Sequence, residues 1–126
     1  MAPNLKSIRL IETSSDAETA AQEILTLSEN VRVIGFDCEW VGNNKTSLLQ
    51  ISVFDKDSPD GSRSYLFRLC KFGNDKMPLL HELLNSQEVV KLGVGIDGDF
   101  KRLISERYVE PGNDSFLDLR FLAAHS

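Results

Sequence analysis

Asp37-Cys38-Glu39 is the triplet in this chain best suited to chemistry. It closes an apolar, β-rich stretch that starts near Val31. Side chains alternate along a strand, so Asp37 and Glu39 leave it on one face while Cys38 turns the other way, into the core. Two neighbouring carboxylates repel each other, and cations that take oxygen ligands, Mg²⁺ or Mn²⁺, would relieve that repulsion. The spacing equally suits a strand that ends in solvent with both acids hydrated. A third acid, Asp99, lies in Val94-Gly95-Ile96-Asp97-Gly98-Asp99, where a strand passes into a helix. The C-terminal ends of parallel strands gather at one edge of a sheet, where ligands usually bind, so Asp99 in the first helical turn comes within reach of the pair. Asp97 fits a helix cap. Asp99 taken alone would also serve as a cap or favour the helix dipole.

The elements that must position these acids follow from periodicity. Residues 8–11 alternate briefly as a short strand. Thr13-Ser14-Ser15-Asp16 offers N-cap chemistry, with Glu18 early in the turn that follows, and Ala20, Ile24 and Leu27 recur at helical spacing, predicting a helix over 16–28. Residues 31–40 read as a central strand, Gly42-Asn43-Asn44 as a turn, 46–54 as a strand, Ser58-Pro59-Asp60-Gly61 as a turn and 64–69 as a strand. Two short connections in a row imply an antiparallel meander. The pattern then alternates: a helix at 78–84 with Leu79, Leu80, Leu83 and Leu84 on its apolar side and His81 exposed, a strand at 89–94, a helix at 97–107 with Phe100, Leu103 and Ile104 inward, a short strand at Phe116-Leu117, and a helix from Leu119 onward. Strand–helix alternation implies parallel pairing with crossovers. The fold class is α/β with a mixed sheet.

At 126 residues the chain fits one small domain over 1–126. Its net charge is −5, with 41% hydrophobic and 26% charged residues. A passive nucleic-acid binder is usually basic; an acidic chain can still act on nucleic acid if bound cations supply positive charge. No apolar run approaches the ~18–20 residues of a membrane span, so no membrane contact is expected. Met1-Ala2-Pro3-Asn4 opens no signal-like segment. Cys38 and Cys70 are the only cysteines and form no CxxC pair, so the expectation is a reduced intracellular protein, nuclear or cytoplasmic.

Four segments taken in order carry a resemblance: Ile34-Gly35-Phe36-Asp37-Cys38-Glu39-Trp40, Ser47-Leu48-Leu49-Gln50-Ile51-Ser52, Leu92-Gly93-Val94-Gly95-Ile96-Asp97-Gly98-Asp99-Phe100-Lys101-Arg102-Leu103, and Leu117-Asp118-Leu119-Arg120. Together they resemble the DEDD-superfamily 3′–5′ exonuclease domain of the Werner-syndrome protein exonuclease and the exonuclease 3′–5′ domain-containing proteins. The resemblance implies a ribonuclease H-like fold and hydrolysis of the terminal phosphodiester at a nucleic-acid 3′ end, DNA or RNA, assisted by two divalent ions, Mg²⁺ or Mn²⁺. It further implies that Asp37 bridges both ions, Glu39 holds the one that activates water, and Asp99 holds the other. The family's third motif, a Tyr or His shortly before a final Asp, is expected after the Asp118 segment. Tyr108 and Asp114 precede that segment, and His125 is followed only by Ser126, so the expectation is a domain incomplete at its C-terminus, and an activity in doubt for this length of chain.

Other readings compete for some of these residues. Gly93-Val94-Gly95-Ile96-Asp97-Gly98 matches GxGxxG between strand and helix, with Asp118 20 residues beyond Gly98, as in a dinucleotide-binding module. Asp99 directly after the last glycine, beside the helix N-terminus meant for pyrophosphate, counts against it. A non-catalytic interaction protein on an eroded nuclease fold is a further alternative. Trp40 could stack on a terminal base or sit at the rim of the core. Lys45, Lys101, Arg102 and Arg107 could touch phosphates or form a solvated face, with Trp40, Lys101 and Arg102 the named substrate-binding candidates. Asp118 fits a cap of the last helix better than a metal ligand.

Overall fold

The computed structural model describes residues 8–40 and 46–120. Strand β1 (Ile8–Ile11) leads into helix α1 (Ser14–Leu27). The Thr13 hydroxyl accepts the Asp16 N–H at 3.1 Å. The cap is thus the first residue of the Thr13–Asp16 run, and the helix starts two residues before the expected position. Strands β2 (Val33–Trp40), β3 (Thr46–Phe54) and β4 (Ser62–Phe67) form the antiparallel meander. A short 3₁₀ turn at Leu69–Lys71, which the periodicity did not signal, precedes helix α2 (Pro78–Asn85), strand β5 (Val90–Gly93), helix α3 (Ile96–Ser105) and strand β6 (Phe116–Asp118). Strand β5 lies parallel to β2, and β6 parallel to β5. The sheet order is β1-β4-β3-β2-β5-β6, with β1 parallel to β4 at the far edge. The mixed α/β sheet is as expected. Leu119 and Arg120 are helical; the rest of that expected helix, the Gly42-Asn43-Asn44 turn and Lys45 lie outside the described residues.

Alternation sorts the sheet into two faces. Ile34, Phe36, Cys38, Leu49, Ile51, Val53, Tyr65 and Phe67 are buried against Ala17, Ala20, Ala21 and Ile24 of α1, Leu80, Leu83 and Leu84 of α2, and Phe100 and Leu103 of α3. Each large apolar side chain so buried contributes ~1.5–3 kcal/mol, which is why a one-residue slip of β2 would be prohibitive. Asp37, Glu39, Gln50 and Phe54 point the other way and are exposed. Among the described residues no helix is long and apolar enough to cross a membrane.

Charged side chains tie the helices to the sheet. Helix α2 opens with Met77 as N-cap, which supplies no side-chain acceptor, and with Pro78 at its start. Glu18 of α1 fills that role from outside: its two carboxylate oxygens accept the Leu79 and Leu80 N–H groups at 3.0 and 2.9 Å. Glu23, one turn further along α1, accepts from Arg9, Arg63 and the Tyr65 hydroxyl. Lys91 of β5 is fully buried and donates to the Ser86 carbonyl at 2.8 Å and the Ser115 hydroxyl at 3.0 Å; burial pushes its pKa down to about 8.

Removing the Glu18 cap leaves two helix-terminal N–H groups without acceptors. The Glu18→Ala variant is expected to lose ~1–2 kcal/mol of unfolding free energy, read from its urea midpoint. The exposed first-turn acid Asp16 changed to Ala should lose less. Equal losses in the two variants would contradict this account of α2.

Candidate active site

The position of the third acid is set by how β5 meets β2. At Gly93, the last residue of β5, a Cβ would lie 2.3 Å from the Phe36 carbonyl oxygen, so only glycine allows this approach. Gly95 follows with φ +73°, a left-handed conformation that turns the chain into α3. The Asp118 carboxylate accepts the Gly95 N–H at 3.1 Å and its own helix-start N–H, that of Arg120, at 3.0 Å. Its pairing with the Arg120 guanidinium holds it down to about 2. Asp118 therefore caps as expected, and also pins the turn that launches α3. Phe100 packs between Phe36 and Phe116, at ring-centroid distances of 5.5 and 4.3 Å, and presses the first turns of α3 against β2.

That packing brings Asp99 to the end of β2. Its carboxylate lies near the backbone of Cys38, between Asp37 and Glu39, where the Cys38 N–H favours its charged form. Asp99 is 5% exposed, and its Oδ2 has no hydrogen-bond partner among the described residues. Burial, then the nearby Asp37, Glu39 and Asp118 charges, raise its pKa to about 6 against the one favourable Cys38 hydrogen bond. Cys38 itself turns into the core, 6% exposed, and burial pushes its thiol far up. Asp37 and Glu39 remain exposed. Among the described residues no three His, Cys, Asp or Glu side chains are already gathered as a cage for an ion. The donor chemistry nonetheless suits a hard divalent cation: three carboxylates at one sheet edge, one buried and short of a partner.

The remaining candidates fall as follows. Trp40 is half-buried against the core, and the Arg102 guanidinium lies 4.5 Å from its ring centroid, so these two stack on each other. Lys101 pairs with Asp97 at 3.4 Å along the exposed side of α3. Asp97 does not cap: α3 has Gly95 at its N-cap and no side-chain cap bond, because the left-handed Gly95 and the Asp118 carboxylate already define that turn. Arg107 is exposed with φ +69°. His81 is exposed and bonded to Glu110 at 3.0 Å. The sequence reading passed over Glu106, whose carboxylate accepts the Thr46 N–H at the start of β3. Its place seven residues after Asp99, on the same helical face, was the available signal.

A mixed sheet with an acid pair at the end of β2 and a third acid on the helix after β5 defines a ribonuclease H-like exonuclease fold. The chain belongs to the 3′–5′ exonuclease family, whose model matches residues 8–119. Among solved structures it is similar to the EXD2 exonuclease domain soaked in Mn and GMP, at 29% identity and TM-score 0.77 over 94% of this chain and 59% of that one. It is similar to the same domain soaked in Mg and GMP, at 28% identity and TM-score 0.77 over 94% and 58%, and without a soak, at 27% and 0.78 over 94% and 59%. The chain thus spans 59% of the length of the first of those chains. No curated protein matches it. The dinucleotide-binding alternative is not favoured. Gly93 serves the β5–β2 contact, Gly95 serves the turn, and the Gly95 N–H is occupied by Asp118.

Because the folded-state pKa of Asp99 lies above its ordinary 3.8, the folded protein holds a proton there that the unfolded chain releases. Stability is therefore lost as pH rises from about 4 through about 6, and the penalty is fully present at pH 7. Asp99→Asn keeps an acceptor for Cys38 and removes the charge. Without metal at pH 7 it is expected to be more stable than the parent by ~2–3 kcal/mol, one pKa unit being ~1.4 kcal/mol, with the difference vanishing near pH 4. A variant no more stable than the parent at pH 7 would contradict the buried-charge account.

Proposed function

We propose that this chain is the acid-bearing part of a divalent-metal-dependent 3′–5′ exonuclease, acting on the 3′ end of DNA or RNA, with Asp37, Glu39 and Asp99 as its metal-holding residues. The observation that carries this is Asp99: a nearly buried carboxylate with one oxygen unpartnered among the described residues, close enough to the exposed Asp37 and Glu39 for their charges to raise its pKa. The likeness to EXD2 exonuclease-domain structures soaked with Mn or Mg and with GMP or dGMP supports the same reading. When bound, divalent ions would supply a water of lowered pKa and stabilise charge on the phosphate and the leaving oxygen.

The chain's own residues prepare for this. The Cys38 N–H favours the charged form of the Asp99 carboxylate, and Phe100 and Asp118 fix the helix that carries it. Asp37 and Glu39 are exposed on the strand face away from the helices, open to a nucleic-acid end. Trp40 with Arg102 on its ring, and Lys101 on α3, flank the acids and form the rim against which a terminal nucleotide would rest. With a net charge of −5, bound cations are what would let phosphate approach.

Calorimetry with Mn²⁺ alone is expected to show binding to the 126-residue chain, and the double change Asp37→Asn, Glu39→Gln should abolish it. Release of mononucleotides from a 3′-labelled oligonucleotide with Mn²⁺ should be weak for these 126 residues. It should rise ~10²–10⁴-fold for each positioning or proton-transferring group added by a chain extended to carry a third motif. Mn²⁺ binding that survives the double change would place the metal elsewhere. Binding without cleavage by the extended chain would favour an interaction protein instead.

A further inference from the structure

Three side chains on one face of α3 grip the end of β2 and the start of β3. Asp99, Arg102 and Glu106 follow at i, i+3 and i+7, one stripe of a helix, and at 1.5 Å per residue they span ~10 Å. Asp99 lies near the Cys38 backbone, whose N–H favours its charged form. Arg102 lies over the Trp40 ring at 4.5 Å. Glu106 takes the Thr46 N–H. Trp40 and Thr46 are themselves partners across the β2–β3 ladder, at its last described rung, and the register shifts between Glu39 and Trp40. Such a bulge re-aims the side chain beside it and, held on one side only, leaves its orientation loose. Around Glu39, Cys38 before it lies near the Asp99 carboxylate, the Trp40 ring after it carries the Arg102 guanidinium, and its own carbonyl accepts the Ser47 hydroxyl at 3.2 Å.

Glu106, like Asp99, is only half satisfied. One of its oxygens is bonded to Thr46, while the other, Oε2, is buried without a partner, as is the Thr46 hydroxyl beside it. Buried polar atoms left unpaired are costly and uncommon. Glu106 also adds to the negative field that Asp99, Asp37 and Glu39 exert on Cys38.

We propose that Glu106 is a positioning residue: its hydrogen bond to Thr46 clamps the mouth of the β2–β3 hairpin onto α3 and so keeps Glu39 in register with Asp99. This rests on the reading of those acids as metal ligands. The hydrogen bond, not the charge, is the element that matters, so a neutral side chain of equal reach suffices and a charged one of shorter reach does not.

Trp40 is the chain's single tryptophan, so its fluorescence reports the clamp directly, and Mn²⁺ affinity reports the acids. Glu106→Ala is expected to weaken Mn²⁺ binding about 10-fold or more, as loss of an outer support for metal ligands typically does, and to open Trp40 to acrylamide quenching. Glu106→Gln should restore both. Glu106→Asp, which keeps the charge but withdraws the acceptor by one methylene, should behave like Glu106→Ala and serves in its place if the alanine variant does not fold. Unchanged Mn²⁺ affinity in Glu106→Ala or Glu106→Asp would overturn the proposal while leaving the metal site intact, provided that Asp37→Asn with Glu39→Gln abolishes binding. Equal weakening by Glu106→Gln would make the charge responsible and also overturn it. If the parent chain binds no Mn²⁺, the metal reading fails, and unaltered Trp40 quenching in Glu106→Ala then overturns the clamp by itself.

Discussion

The Asp99 carboxylate is buried near the Cys38 N–H, with the charges of Asp37 and Glu39 acting on it. Nothing among the described side chains neutralises it, and its Oδ2 has no partner. A buried charge in that position destabilises the fold, so the surroundings must impose it. They do so from three directions: the glycine contact of β5 on Phe36, the aromatic stack of Phe36, Phe100 and Phe116, and the Asp118 carboxylate on the turn before α3. Together they place one oxygen atom. Strain and uncompensated charge persist where the rest of a structure over-determines them, and such places are commonly functional.

Much of this was legible in the chain itself, because it depends on local periods. Alternation along β2 sets Cys38 inward and Asp37 and Glu39 outward, since any other register would expose Ile34 and Phe36. The switch from period two to period three-and-a-half separates the meander from the parallel units. The bounds of β3 and the N-terminus of α2 at Pro78 were read correctly, the second because proline suits the first helical position and little else in a helix. What escaped was long-range. No local pattern says that Glu18 caps a helix 61 residues away, that Lys91 is buried beneath Ser115, or that Glu106 reaches Thr46. That Arg102 stacks on the Trp40 ring was likewise not written in any local pattern. Asp97 looked like a cap, and the turn is capped by Asp118 from β6 instead.

The glycines between β5 and α3 show how one string of residues can satisfy a motif for the wrong reason. Their spacing is that of a phosphate-binding turn, yet Gly93 is required by a strand contact and Gly95 by a left-handed dihedral, while nothing crowds Gly98. The same short stretch brings an acid, rather than a helix N-terminus, to the sheet edge. Membership of the 3′–5′ exonuclease family over residues 8–119 fits that arrangement, in which helix α3 acts as a ruler laid along the strand end that bears the acid pair.

The central claim is that Asp99 is held as a strained acid whose charge a divalent ion would relieve. The most direct test is a pH titration of the Asp99 carboxyl carbon by NMR, with and without Mg²⁺. The expected apparent pKa without metal is about 6, falling below the ordinary 3.8 once Mg²⁺ is present. A titration already near 3.8 without metal, or one near 6 that Mg²⁺ does not move, would contradict the account.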